Sequence, residues 1–219
     1  MNNPSLMRTM AAGVLAVAAV IAGAPAGPAA ADDCPDVELI FARGTGEPPG
    51  VGRVGQALAD ALAPQLGDRS FDVYAVDYPA SYNFLAAASG ANDAAARIAD
   101  MGARCPQTRL VLGGFSQGAA AVSMLAGVPP VGDRIGSIGS APPLPPAAAG
   151  QVAAVAVFGN PGARFGSPLS TTGAFAGRAI DVCVVGDPIC SAGRDRAAHS
   201  AYELPPYPQQ AAAFVAALL

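Results

Sequence analysis

The sequence predicts a three-layer α/β/α domain built on a mainly parallel, five-stranded sheet. Five short runs rich in β-branched residues are almost continuously apolar, which is typical of strands that are covered on both faces. Helical or alanine-rich segments separate these runs, and strands that alternate with helices form parallel βαβ units. The predicted strands span residues 37–42, 71–76, 108–113, 152–158 and 178–184.

Four helices are predicted between and after these strands. Apolar residues at three- and four-residue steps give the first of them one apolar face, as in a helix that packs against a core. Asn92 is suited to cap the second helix, and Pro208 is suited to the first turn of the last one. The proline-rich residues 141–146 are predicted to form a surface loop before the fourth strand. The predicted helices span residues 50–66, 92–103, 117–125 and 209–219.

Residues 1–31 have the composition of a secretory signal peptide. Arg8 supplies a positive charge, residues 10–22 form an apolar stretch of about 13 residues, and residues 29–31 offer an A-x-A cleavage site. This stretch is shorter than the roughly 20 residues that span a bilayer, although an uncleaved anchor is the alternative. We therefore expect a secreted or cell-wall-associated protein with one domain over residues 32–219 and no membrane segment after cleavage.

The four cysteines are predicted to form disulfides because an exported protein enters an oxidising environment. Four cysteines allow three pairings. The separation of only seven residues favours Cys183–Cys190, which leaves Cys34–Cys105. The chain contains no CxxC motif, so a redox or zinc role is not indicated.

The charged residues exclude several classes of function. All 12 basic residues are arginine, which excludes a Walker A loop and a Schiff-base lysine. The net charge of −4 argues against nucleic acid as a partner, since binding to phosphates needs clustered cations. A single histidine excludes HExxH metalloproteases and multi-histidine zinc sites. Acid–base chemistry near neutral pH must therefore use His199.

Ser116 is the predicted nucleophile. It lies in the motif Gly114-Phe115-Ser116-Gln117-Gly118, which matches G-x-S-x-G, follows the third predicted strand and opens the third predicted helix. This is the strand–turn–helix setting of a nucleophile elbow, in which a Cβ at either glycine would collide with a neighbouring strand or helix. The alternative is that Ser116 only caps the helix.

His199 and Asp187 are the predicted partners of Ser116. A serine hydroxyl needs an adjacent base, and His199 is the one imidazole in the chain. Asp187 follows the fifth predicted strand and lies between Cys183 and Cys190, so a disulfide there would fix the turn that carries the carboxylate. The order serine, aspartate, histidine is that of α/β-hydrolases. The competing acids are Asp181, Asp195 and Glu203.

Two backbone donors are predicted for the oxyanion of an acyl-transfer intermediate. One is the N–H of Gln117, which directly follows the nucleophile. The other is the N–H of Thr45, with its hydroxyl as a further donor, in the glycine-rich loop after the first strand. Arg43 in the same loop has the alternative role of a structural ion pair.

Together these residues resemble the cutinase family of serine esterases, in particular the cutinase-like proteins of actinobacteria. The resemblance covers nearly all of residues 32–219. It is carried by Cys34, Phe41-Ala42-Arg43-Gly44-Thr45, Tyr78-Pro79-Ala80-Ser81, Cys105-Pro106, Gly113-Gly114-Phe115-Ser116-Gln117-Gly118, and Cys183, Asp187 and Cys190 with His199.

The resemblance implies an α/β-hydrolase with a five-stranded parallel sheet, an open site without a lid, and two disulfides in the pairing favoured above. It implies Ser116 as nucleophile, His199 as base, Asp187 as its partner, and Thr45 and Gln117 as the oxyanion hole. The substrate would be a carboxylic ester or a lipid ester. No cofactor or metal is implied, and we expect a monomer.

Some residues depart from the family pattern and bear on the substrate. Residues 191–196, which approach the histidine, are polar where a lip that binds a polymer would be apolar, and this weakens the case for cutin. Residues 82–85 still offer an apolar wall for an acyl chain. The alternatives are a lipase, phospholipase A or thioesterase, a carbohydrate-ester deacetylase, and a non-catalytic wall protein on a hydrolase scaffold.

Overall fold

A five-stranded parallel sheet forms the centre of the fold. The structure, a computed structural model, describes Met1 and residues 34–131 and 138–219. The strands are β1 (Val37–Ala42), β2 (Phe71–Ala75), β3 (Arg109–Phe115), β4 (Val152–Phe158) and β5 (Ala179–Val182). Their order in the sheet is β2-β1-β3-β4-β5, and every neighbouring pair is parallel.

Helices cover both faces of this sheet. The helices are α1 (Gly52–Leu62), α2 (Ala87–Arg104), α3 (Gln117–Leu125), α4 (Pro146–Gln151), α5 (Pro161–Arg164) and α6 (Tyr207–Ala216). Apolar side chains of α1 and α6 pack on one face, and those of α2, α3 and α4 pack on the other. The three-layer α/β/α architecture with a five-stranded parallel sheet, which the sequence predicted, is confirmed.

Alternate side chains of a strand enter opposite layers, which explains why the strand sequences are almost continuously apolar. In β1, Leu39 and Phe41 join the cluster that contains α1 and α6. Ile40 and Ala42 join the cluster that contains α2 and α3. Since both faces are covered, β1 has no polar alternation and all six of its residues are buried.

Several predicted boundaries of helices are wrong. Asn92 is not a cap, because α2 already begins at Ala87 and Asn92 lies inside it. The residues before Asn92 are mostly alanine, which favours helix, and Gly90 allows the helix to pack against the Tyr78 ring. The last helix begins at Tyr207, two residues before the predicted start, and ends at Ala216. The first helix is shorter than predicted, because a 3₁₀ turn over Ala63–Gln65 ends it.

The remaining differences concern strands and the proline-rich segment. Strand β3 runs to Phe115, two residues further than predicted, and β5 comprises only Ala179–Val182. The sequence missed the short helix α4, which begins at Pro146, the last residue of the predicted loop. Proline is compatible with the first turn of a helix, because the N–H groups of that turn have no acceptor within the helix and the lack of an N–H costs no hydrogen bond.

The two disulfides have the pairing that the cysteine spacing favoured. Cys34–Cys105 joins the segment before β1 to the end of α2, and Cys183–Cys190 closes a loop directly after β5. The predicted signal peptide, residues 1–31, lies outside the described residues apart from Met1. None of the helices that are described is long and apolar enough to cross a membrane.

Candidate active site

The predicted site residues meet at one edge of the sheet, where the parallel strands end. Ser116 directly follows β3, Thr45 lies in the loop after β1, and Asp187 lies in the loop after β5. His199 belongs to a 3₁₀ turn over Ala198–Ser200 that follows this last loop. The carboxyl ends of parallel strands are the usual place for ligand sites in α/β folds.

The turn at Ser116 is strained and depends on two glycines. Ser116 has φ 54° and ψ −110°, a conformation that side-chain-bearing residues rarely adopt. A Cβ on Gly114 would lie 2.5 Å from the Gly118 backbone, and one on Gly118 would lie 2.0 Å from the carbonyl oxygen of Ala42. The close contact of β1, β3 and α3 therefore requires glycine at both positions and projects Ser116 out of the sheet edge.

Ser116, His199 and Asp187 form a continuous hydrogen-bonded chain. The Oγ of Ser116 lies 2.9 Å from Nε2 of His199. The Nδ1 of His199 lies 2.8 Å from Oδ2 of Asp187. The Asp187 side chain is fully buried, whereas 21% of the His199 side chain is exposed. The serine can therefore transfer its proton to an imidazole that a buried carboxylate orients.

The environment of Asp187 favours its charged form. Burial alone raises the pKa of this carboxyl, but hydrogen bonds from His199, Tyr202 and the Ile189 N–H outweigh it, and the net pKa is lowered. The Ile189 N–H donates to Oδ1 at 2.7 Å, and His199 binds Oδ2. Each carboxylate oxygen thus has a partner, and the carboxylate remains an acceptor for the Nδ1 proton.

The competing acids have other partners. Asp181 accepts hydrogen bonds from the Asn160 side chain and the Ser170 N–H. Asp195 accepts one from the Ala197 N–H. Glu203 forms an ion pair with Arg53. Among these four acids, Asp187 is the one that contacts the imidazole.

The two predicted oxyanion donors belong to segments that contact each other. The Thr45 hydroxyl donates to Oε1 of Gln117 at 3.2 Å, and Nε2 of Gln117 donates to the Ser81 carbonyl at 3.2 Å. Gln117 begins α3, so its N–H lies in the first turn, where helix amides have no intrahelical acceptor. The Gln117 side chain thus fixes the Thr45 loop relative to Ser116.

Arg43 is buried, and within the described part of the chain it forms no ion pair of the kind that the sequence left open. Its guanidinium instead donates to the backbone carbonyls of Glu47, Val76 and Tyr78. The Tyr78 hydroxyl in turn donates to the Arg43 carbonyl. These bonds tie the loop after β1 to the segment after β2.

Glu47 also holds the Thr45 loop, and the sequence analysis missed it. Its carboxylate accepts the Gly44 N–H at 2.7 Å and the Arg53 N–H at 3.0 Å. It thus joins the loop to the start of α1. The signal that could have revealed it is an acid placed between a glycine-rich turn and a helix N-terminus, where carboxylates accept free backbone N–H groups.

Tyr202 is a second residue that sequence reasoning missed. It is fully buried, and its hydroxyl donates to Oδ2 of Asp187, the oxygen that His199 also binds. Burial raises the pKa of Tyr202 far above its ordinary value, and the bond to Asp187 raises it further. The three-residue separation from His199, across a tight turn, is the signal that could have drawn attention to it.

A cavity of about 560 Å³ opens above Ser116. Its apolar walls include the neighbouring residues Tyr82 and Phe84, together with Phe165, Pro188 and Ile189. Tyr82 is 81% exposed and Leu85 next to Phe84 is 52% exposed, so this wall continues as an apolar surface beside the cavity. Among the described residues, three charged side chains also line the cavity, namely Glu47, Arg53 and Arg164.

No group of three or more potential metal ligands occurs in the portion of the chain that the structure describes.

Comparisons with known proteins identify the family. The family model for cutinase matches residues 33–219. The chain is 46% identical over 211 residues to phospholipase Culp4 of Mycobacterium tuberculosis, with 96% of this chain and 90% of that one covered. It is 41% identical over 226 residues to carboxylesterase Culp1 of the same species, with 99% and 97% covered.

Among solved structures, the catalytic core domain of acetyl xylan esterase from Trichoderma reesei superposes with a TM-score of 0.72. The identity is 26%, and the match covers 85% of this chain and 100% of that domain. The match of the family model over most of the chain, together with relatives above 40% identity, establishes the conclusion: this chain belongs to the cutinase family.

Proposed function

We propose that the protein hydrolyses carboxylic esters through an acyl-enzyme formed on Ser116. Ester hydrolysis follows from membership of the cutinase family, and the roles of the individual residues are the proposal. The observation that carries it is the hydrogen-bonded chain from Ser116 Oγ through His199 to Asp187, with distances of 2.9 Å and 2.8 Å.

The first half of the reaction transfers the acyl group to the enzyme. Ser116 Oγ attacks the ester carbonyl carbon while its proton moves to Nε2 of His199. The carbonyl oxygen becomes an anion that the N–H groups of Thr45 and Gln117 stabilise. When this tetrahedral intermediate collapses, the bond to the alkoxy group breaks, and His199 gives its proton to the departing alcohol.

The second half regenerates the enzyme. A water molecule attacks the acyl carbon and loses a proton to His199, which later returns it to Ser116 as the acid product leaves. Throughout both halves Asp187 remains charged, orients the imidazole and stabilises the imidazolium. The depressed pKa of Asp187 supports this role, because the carboxyl stays ionised at any pH at which an imidazole titrates.

The cavity supports short- to medium-chain acyl esters as substrates. Its walls are largely apolar, and its volume of about 560 Å³ is large enough for more than an acetyl group. Phospholipase or lipase activity on long chains is the second candidate. The exposed side chains of Tyr82, Phe84 and Leu85 favour it, because an apolar surface beside the cavity can contact a lipid aggregate.

The test combines a covalent probe with a substrate series. A fluorophosphonate should label Ser116 stoichiometrically, and Ser116→Ala should lower kcat by at least about 10⁴-fold. Ser89→Ala is the matched control, since Ser89 is an exposed serine of α2. Aryl esters from acetyl to palmitoyl, and a phospholipid, then separate the candidates. Folded protein that neither reacts with the probe nor loses activity in Ser116→Ala would overturn the proposal.

We also propose that residues 1–31 are a signal peptide and that the protein acts outside the cytoplasm. The apolar stretch over residues 10–22 and the two disulfides support this proposal, since disulfides persist in oxidising compartments. Mass spectrometry of the protein in culture medium should give a chain that begins near Asp32. A chain that retains residues 1–31 in the cell membrane would contradict it.

A further inference from the structure

We propose that Tyr202 is a positioning residue of the hydrolase, whose phenol holds the Asp187 carboxylate in the orientation that serves His199. This proposal rests on the proposed function. It adds Tyr202 to the hydrogen-bonded series of Ser116, His199 and Asp187. Tyr202 touches neither the nucleophile nor the cavity.

The phenol and the imidazole share one carboxylate oxygen. The Tyr202 hydroxyl donates to Oδ2 of Asp187, and Nδ1 of His199 lies 2.8 Å from the same atom. Oδ1 is held separately by the Ile189 N–H at 2.7 Å. Without the phenol, Oδ2 would keep one hydrogen-bond donor, His199, beside the Cys190 sulfur at 3.3 Å. Rotation about the Cβ–Cγ bond of Asp187 would then be limited by fewer contacts.

The direction of the hydrogen bond from Tyr202 is fixed by its other partner. The Val184 N–H donates to the Tyr202 oxygen at 3.2 Å, so the phenol accepts from the backbone and its own proton is free for Asp187. Sγ of Cys190, which is bonded to Cys183, lies 3.2 Å from the same hydroxyl. Tyr202 therefore connects the end of β5, the disulfide and the carboxylate.

The ring of Tyr202 is held as firmly as its hydroxyl. It is fully buried and packs against Phe115, Phe158 and Tyr207, with ring centroids 5.5 Å, 6.1 Å and 6.1 Å away. It meets the His199 ring edge-on, at 6.0 Å and 85°. A single side chain thus contacts both the acid and the base, while the aromatic contacts alone would keep a phenylalanine in the same place.

The shared oxygen also sets the charge that the imidazole experiences. A phenol that donates to Oδ2 withdraws part of the negative charge that would otherwise act on the imidazolium. The titratable groups packed around this phenol are Asp187 from the loop after β5, His199 from the 3₁₀ turn and Tyr207 from α6; β3 and β4 contribute Phe115 and Phe158, which do not titrate. Loss of the hydroxyl should therefore stabilise the imidazolium.

Tyr202→Phe tests the proposal because it removes only the hydroxyl. With the concentration of active sites measured by phosphonate titration, we expect kcat to fall roughly tenfold to hundredfold and KM to change little. The reason is that the loss of a hydrogen bond to a charged group acts on the chemical step. We also expect the acid limb of the pH profile to move to higher pH by roughly half a unit. Tyr74→Phe, which removes a phenol that donates to the Asp93 carboxylate away from this site, is the matched control and should change neither quantity.

A double-mutant cycle separates positioning from a general structural role. In an Asp187→Ala background the phenol has no carboxylate to hold, so adding Tyr202→Phe should lower kcat no further. A merely structural residue would produce the same fold-change in both backgrounds.

A second variant covers the case in which Tyr202→Phe does not fold. Incorporation of 3-fluorotyrosine at position 202 retains the hydroxyl and makes it a stronger donor, so the acid limb should move in the opposite direction, to lower pH. An unmoved limb in that protein would count against the proposal.

The two proposals fail in different ways. If Ser116→Ala retains hydrolysis, the proposed function fails whatever Tyr202 does. If Ser116→Ala is inactive while Tyr202→Phe keeps the wild-type kcat and pH profile, or loses activity equally with and without Asp187, then only the positioning role is overturned.

Discussion

The proposed nucleophile and the proposed acid–base pair are held by two different kinds of structure. Ser116 lies between β3 and α3, and the backbone fixes it: its N–H donates to the Phe158 carbonyl at 2.9 Å, and its carbonyl accepts the Ala120 N–H at 3.1 Å. Asp187 and His199 lie in the irregular segment between β5 and α6, where one 3₁₀ turn is the regular structure present. There the side chains do the positioning.

The difference predicts how each half responds to substitution. The turn at Ser116 depends on close backbone packing, which one added methyl group can disrupt. The segment with Asp187 and His199 depends on separate contacts, namely the Cys183–Cys190 disulfide, the Tyr202 hydroxyl and the ion pair of Glu203 with Arg53. Substitutions of the glycines on the first side should therefore act as all-or-none losses, and substitutions at these separate contacts on the second side as graded ones.

Gly118→Ala should have the largest effect. The added Cβ would lie 2.0 Å from the Ala42 carbonyl oxygen. Neither atom can move aside without a shift of the backbone, because the Cβ is attached to the helix backbone and the oxygen belongs to the backbone at the end of β1. We expect a loss of about 3 kcal/mol in the free energy of unfolding and almost no active protein. Gly150→Ala is the control, since a Cβ on this helical glycine meets nothing within 4 Å, and it should be neutral or slightly stabilising. Thermal melts and phosphonate titration measure both, and an active, stable Gly118→Ala would refute the steric argument.

The same difference explains which features the sequence could predict. The glycines around Ser116 and the strand and helix beside it are neighbours in the chain, so a five-residue motif predicted the turn. The apolar runs predicted the five strands because both faces of the sheet are covered. These inferences depend on local pattern and on burial, which sequence expresses directly.

Long-range side-chain contacts were not predictable in this way. Tyr202 and Glu47 act through Asp187 and Gly44, and nothing in a single sequence says which acceptor a buried hydroxyl or carboxylate will find. Arg43 illustrates the same limit, because its type suggests an ion pair and its fold gives it three backbone carbonyls. The start of α2 was misplaced because a capping residue, Asn92, outweighed the alanine-rich turn before it.

Asp187→Asn should have the next largest effect. An amide can donate to Nδ1 and so stabilise the wrong tautomer of His199, which leaves Nε2 unable to accept the Ser116 proton. We expect kcat to fall about 10³- to 10⁴-fold while the protein remains folded. Asp195→Asn, a substitution of an exposed acid in the same segment, should have little effect. Equal losses in the two variants would show that the carboxylate next to His199 has no special role.

The two disulfides should separate stability from activity. The chain-entropy relation gives about 4 kcal/mol for the 71-residue separation of Cys34 and Cys105, and about 2 kcal/mol for the seven-residue separation of Cys183 and Cys190. Paired substitution to alanine at the first should lower Tm more. At the second it should lower kcat about tenfold at 25 °C, because the Asp187 turn loosens. If thermal melts and kinetics instead showed the larger loss of Tm for the Cys183–Cys190 pair and the larger loss of kcat for the Cys34–Cys105 pair, the two disulfides would not have these separate roles.

Arg53→Gln should have the smallest effect, and it tests whether the two halves of the site are coupled. Arg53 is bonded on one side to Glu47, which holds the Thr45 loop. On the other side it is bonded to Glu203, four residues before α6 begins at Tyr207. Its side chain is 53% exposed, so water and salt weaken both ion pairs, and each contributes at most about 1 kcal/mol. We expect a change in kcat of less than about threefold that disappears in high salt. A larger, salt-independent loss would mean that Arg53 rigidly joins the Ser116 side of the site to the side with Asp187 and His199. The graded response expected of the segment with Asp187 and His199 would then depend on the Ser116 side as well.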